Sequence, residues 1–179
     1  MKRLVREEAG MTLVELLVVC SVLVVVMGAG SDLFVSGLQA GSRGQAQLSN
    51  QGGVRSALDR LDYDARCADT ATVLSSGAGV HLHLPSQCTH ATGDVSWCVS
   101  SGSLVRLTAQ TCSGTGQTFT TDVTSATPFC VQTVTGDTPQ LYVSLSADAD
   151  TRSGDATSAT DVITLRNESA ATSTSAACP

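Results

Sequence analysis

The stretch AGMTLVELLVVCSVLVVVMGAG, residues 9–30, decides how this chain is read. It is apolar from Leu16 to Ala29 apart from Ser21, and one acid, Glu15, stands at its start. Residues 13–30 are marginal but adequate in length for a membrane-spanning helix. An ionised carboxylate in that setting costs about 2.5–3.5 kcal/mol even on insertion-derived scales, so the acid calls for a reason. Lys2, Arg3 and Arg6 precede the run, and no basic residue follows until Arg43. That bias predicts a cytoplasmic N-terminus and an extracytoplasmic remainder. A secretory signal would place its small-residue cleavage site after the apolar core. Here the small residue, Gly10, and the acid come before it.

The rest of the chain bounds the class. It has 179 residues, enough for an anchor and one domain. Beyond residue 10 it carries seven arginines, no lysine and 14 acids. Such a surface repels phosphate backbones, so direct nucleic-acid binding is not expected. Aromatic residues are 3 % of the chain, which leaves a core of small β-branched side chains that cross-links would help.

Helical spacing continues past the apolar run. Leu48, Val54, Leu58, Leu61 and Ala65 form one stripe. Arg55 with Asp59 and Asp62 with Arg66 are i, i+4 pairs. The pattern predicts one helix from Met11 to about Cys67, roughly 85 Å long at 1.5 Å per residue. Gly28, Gly30, Gly37, Gly41, Gly44, Gly52 and Gly53 interrupt it, each at about 1 kcal/mol relative to alanine. They suit either local loosening or close helix–helix approach.

After Cys67 the period changes to alternation. Strands are predicted at 71–74, 80–84, 95–99, 104–108, 118–123, 130–134, 141–145 and 162–166, with a hairpin turning at Ser100–Ser103. One long helix followed by antiparallel strands is an α+β chain. Trp97 is assigned to the core, on the face of Val95 and Val99.

Six cysteines lie beyond the apolar run: Cys67, Cys88, Cys98, Cys112, Cys130 and Cys178. With no C-x-x-C spacing, they read as three disulfides formed outside the cytosol. Fifteen pairings are possible. A three-strand meander favours Cys88 with Cys112 and Cys67 with Cys98, leaving Cys130 to tether the tail through Cys178. Cys20, inside the apolar run, reads as a small packing residue.

Other constellations fall short. His81 and His83 share one strand face, and a metal site would need a further ligand such as His90, so they read as a solvated face. In the loop bearing Asp148, Asp150 and Asp155, Arg152 occupies a position where a calcium loop needs an oxygen. No phosphate-binding loop, dinucleotide fingerprint or nucleophile elbow appears. No catalytic residue, metal or cofactor is assigned.

Gly10-Met11-Thr12-Leu13-Val14-Glu15-Leu16 resembles the N-terminal motif of type IV prepilins, usually G-F-T-L-I/V-E-L, with Met11 in place of the usual Phe. The resemblance implies cleavage by a prepilin peptidase between Gly10 and Met11, and N-methylation of Met11. It also implies an assembly role for Thr12 and Glu15, the Glu15 carboxylate meeting the terminal ammonium of a neighbouring subunit. "LDRLDYDAR" at 58–66, "GSLVR" at 102–106 and "VITLRN" at 162–167 are similar to J-type minor pseudopilins and PilW-like minor pilins.

The expected organisation follows: a leader at 1–10, a long helix at 11–66 with its membrane segment at about 13–30, a disulfide-linked β-rich head at 67–168, and a low-complexity tail at 169–179. The implied function is a structural subunit of a type IV pilus or a type II secretion-like filament, not an enzyme. Its implied partners are other pilin-like subunits, the peptidase, an inner-membrane platform and membrane lipid. The implied location is a single-pass membrane protein that joins a surface or periplasmic filament. The alternative is a membrane-tethered extracellular binding or sensor domain that never polymerises.

Overall fold

The computed structural model describes residues 12–89, 91–132, 138–148, 156–167 and 178. The sequence-level assignments that rest on Gly10, Met11, His90, Asp150, Arg152, Asp155 and residues 168–177 lie outside these. The chain divides into two compact units, residues 1–42 and 43–179, and helix α1 (Leu13–Cys67) contributes to both.

In the second unit α1 is amphipathic. Its buried positions are Asn50, Val54, Ala57, Leu61 and Asp64, at alternating four- and three-residue steps, with Ala65 beside the last. Leu48, expected in this stripe, is 69 % exposed, and Leu58 lies at the edge of the core. The buried row uses alanine and two polar residues, which a search for large apolar side chains passes over.

Eight strands follow: β1 (Thr70–Leu74), β2 (Gly79–Leu84), β3 (Gly93–Ser100), β4 (Ser103–Leu107), β5 (Gln117–Thr120), β6 (Phe129–Gln132), β7 (Gln140–Ala147) and β8 (Thr157–Thr164). The first five form an antiparallel sheet in chain order, and the last three form a second. Chain-order neighbours need only short connections, which is why alternation and turn residues were enough to locate them. The hairpin turns at Ser100 and Ser103, which face each other across the ladder.

Two strand limits differ from expectation by three residues or more. β5 stops at Thr120 because Asp122 takes a left-handed φ of 59°; Val123 then bridges to Ala147 of the other sheet. β8 begins at Thr157 rather than Val162, since Thr157–Thr164 pairs along the whole of β7. Its half-exposed Thr-Ser-Ala-Thr start has little apolar signal.

The core joins α1 to the inner sheet faces: Val54, Ala57, Leu61 and Ala65 cluster with Val80, Leu82, Val95, Trp97, Leu104, Phe129, Leu141, Val143, Leu145 and Ile163. Gly53 lets the helix approach β5 closely, since a Cβ there would lie 2.7 Å from the Phe119 carbonyl oxygen. At the helix end, the Asn167 side-chain amide donates to the carbonyls of Arg66 and Cys67, which have no partner within the helix.

The disulfides are Cys67–Cys88, Cys98–Cys112 and Cys130–Cys178. The pairings Cys67–Cys98 and Cys88–Cys112 are therefore corrected. Strand β1 explains the first change: running antiparallel to β2, it sets Thr70 opposite His83, which brings Cys67 to the end of β2 and to Cys88. For the second, the 108–116 connection folds back over the outer face of the first sheet, where Cys98 points. Gly79 lies opposite Cys98, and a Cβ on it would meet the Cys112 Sγ at 2.6 Å. Gly79→Ala is expected to destabilise the head by about 1–3 kcal/mol through overpacking, and to raise alkylation of Cys98 and Cys112. Thiol counting and thermal unfolding check this; unchanged values in both would refute it.

Candidate assembly site

The apolar helix starts with a built N-terminus. Thr12 is its cap: the Thr12 Oγ1 accepts the Glu15 backbone N–H at 3.3 Å, and the Thr12 carbonyl accepts those of Glu15 and Leu16. Thr12 and Glu15 thus occupy the first and last positions of a T-x-x-E capping sequence. Glu15 lies in the first turn, where a carboxylate is favoured by the helix dipole. The capping role was legible in the spacing of Thr12 and Glu15 but is absent from the sequence-level reading.

Within the first unit no apolar side chain of the helix is buried among the described residues. Leu13, Val14, Leu16, Leu17, Val18, Val19 and Val22 through Met27 are all exposed, as are Leu33, Phe34, Val35 and Leu38. The most apolar 18-residue window has a mean hydropathy of 2.5, so α1 is long and apolar enough to cross a membrane. A Cβ added at Gly28, Gly30, Gly37, Gly41 or Gly44 meets no atom of this chain within 4 Å. Those glycines therefore serve no close packing among the described residues, unlike Gly53.

A polar cluster, not singled out in the sequence, ties α1 to the first sheet. Asp64 is fully buried on the inward row of the helix. Its Oδ2 accepts the Arg106 Nε–H at 2.7 Å and the Trp97 Nε1–H at 3.2 Å. The Oδ1 accepts the Arg106 Nη2–H at 3.4 Å, and the Arg60 guanidinium stands 3.5 Å away. Trp97 and Arg106 face each other across β3 and β4, so one carboxylate satisfies two cross-strand neighbours. A buried indole N–H needs an acceptor, and a buried carboxylate needs several donors. The available signals were that Asp64 follows Leu61 by three, and that Arg106, two residues after inward Leu104, shares its strand face. By contrast, Asp62 and Arg66 pair at 2.7 Å on the surface, where Asp62 holds the Arg66 guanidinium above its ordinary value and solvent screens the pair.

Among the sites named from sequence, the structure thus places Thr12 and Glu15 together in one capped turn, and puts the six cysteines in the second unit. His81 departs from the expected solvated face, with a side chain only 15 % exposed and paired with Asp94. His83 keeps a solvated side chain, 44 % exposed, beside the carboxylate of Asp69.

No curated protein and no solved structure matches the chain. Residues 5–31 match the family model described as the prokaryotic N-terminal methylation motif. Together with the capped, apolar helix, that match supports a type IV prepilin-like protein: structural in character and anchored in a membrane.

Proposed function

We propose that this chain is a minor pilin or pseudopilin, a structural subunit of a type IV pilus or type II secretion-like filament. The observation that carries the reading is the helix segment 13–38, largely apolar and exposed among the described residues, opening on Thr12 and Glu15 inside the matched motif. A surface of that kind is stable in lipid before assembly and against like helices after it. In this reading a prepilin peptidase cuts before Met11 on the cytoplasmic side. The new terminus is methylated, and an inner-membrane platform passes the subunit into the filament with its head outside. Domain limits follow as a leader at 1–10, a helical stalk to 66, a head at 67–168 and a tail at 169–179 held by Cys178.

N-terminal sequencing and intact mass of the membrane-extracted protein test this. The expected result is a chain beginning at Met11 and carrying one extra methyl group. Recovery of Met-Lys-Arg, or of any other start, would refute processing. A chain processed in this way that is never found in filaments would instead favour the tethered binding or sensor domain.

A further inference from the structure

Strand β8 is an edge of the second sheet, and β7 pairs with one side of it. The Leu165 N–H donates to the Pro139 carbonyl, so the odd-numbered residues of β8 turn their N–H and C=O groups towards β7. Those of Ser158, Thr160, Val162 and Thr164 point away from the sheet. Among the described residues only the Val162 N–H has a partner on that side, the Asp161 Oδ1 at 2.8 Å. The edge runs for eight residues and contains no proline or lysine to blunt it.

Two cavities flank this edge, one on each face of the sheet. On the outer face, Cys130, Tyr142 and Val162 stand side by side across β6, β7 and β8. With Pro128 and Thr160 they line a largely apolar cavity of about 260 Å³. Val162 is 49 % exposed, and it is the one exposed large apolar side chain among the described strands. On the face towards α1, Gln51, Val54 and Arg55 meet Thr157, Ser158 and Ala159 around a second cavity of about 320 Å³. Arg55 is exposed and makes no ion pair among the described residues, so the pairing with Asp59 expected from its spacing does not form.

We propose that β8 is a docking strand for an extended segment of a partner protein, which adds to the second sheet along Ser158–Thr164 and carries a large apolar side chain next to an acidic one. An added strand turns successive side chains to opposite faces. One of them enters the cavity over Tyr142 and Val162, which has room for a single phenylalanine or leucine side chain. Its neighbour in sequence faces Arg55, the charged residue of the other cavity, and charge complementarity requires an acid there. Main-chain bonds to the open edge supply affinity, and the two cavities supply selectivity. Asp161 guards the edge until a partner arrives: its carboxylate holds the Val162 N–H, and the incoming strand displaces it. This surface belongs to the head alone, so it does not depend on how the apolar half of α1 is assembled.

The probe is a fluorescein-labelled peptide of about eight residues, alternating threonine and valine with adjacent phenylalanine and aspartate at its centre. It is titrated against the full-length protein in detergent and read by fluorescence anisotropy. Saturable binding with a Kd on the order of 10⁻⁴ M is expected. Thr160→Pro deletes an outward N–H without touching the ladder to β7, and should weaken binding at least about tenfold. Asp161→Ala frees the Val162 N–H and should tighten binding about two- to fivefold. Arg55→Glu should weaken it about three- to tenfold. Binding that Thr160→Pro leaves unchanged, or no saturation by about 2 mM peptide, overturns the proposal. Should Thr160→Pro fail to fold, the wild type is titrated with the peptide methylated on the phenylalanine nitrogen and every second nitrogen from it. That peptide should not bind, and equal binding overturns the proposal. Dimers of the protein that Thr160→Pro dissolves would make a second copy the occupant and overturn the choice of partner.

Discussion

Glu15→Ala is expected to abolish incorporation into filaments while leaving membrane insertion and head folding intact. Glu15 lies in the first turn of an apolar helix, more than thirty residues ahead of the first buried position, Asn50. Nothing in the head core depends on it. In a helix bundle its carboxylate would meet the terminal ammonium of the neighbouring subunit. Removing one member of such a low-dielectric pair leaves the other uncompensated, at a cost of about 3–5 kcal/mol. That amounts to roughly two to nearly four orders of magnitude in the equilibrium of each contact. Without the acid, axial register is also unselected, because apolar side chains alone tolerate sliding. Insertion should be eased, since a polar group is removed from the edge of the bilayer. Immunoblotting of membrane and sheared-filament fractions reads both effects. Normal recovery of Glu15→Ala in filaments would sink the register role.

Asp64→Leu is expected to be the most destabilising single change in the head, on the order of 3–5 kcal/mol. The substitution strands the Arg106 guanidinium, 11 % exposed, and the buried Trp97 N–H without their shared acceptor. The companion variant Asp64→Leu/Arg106→Leu removes both charges. It should recover a substantial part of the loss, because a buried ion pair replaced by apolar side chains is often near neutral. Urea unfolding of the full-length protein, read by Trp97 fluorescence, measures all three. A loss under about 1 kcal/mol for Asp64→Leu, or a double variant no more stable than Asp64→Leu, contradicts this account of the helix–sheet junction.

Much of this protein was legible without coordinates. A run of apolar residues behind Gly10 and in front of Arg43 specifies an anchor, because hydrocarbon admits few alternatives to a continuous helix. The switch to alternation after Cys67 specifies strands, and each Gly, Ser or Asp cluster marks where one ends. Both are local signals, carried by residues a few positions apart. The T-x-x-E cap was equally local.

The tertiary structure alone decided the rest. Which cysteine meets which depends on β1 reversing the chain and on a connection folding over the sheet, and neither has a sequence period. Burial of Asp64 is decided by Trp97 and Arg106, 33 and 42 residues away. The partner of His81 is Asp94, 13 residues away on the next strand. A side chain's periodicity tells which way it points; only the packed chain tells what it finds there.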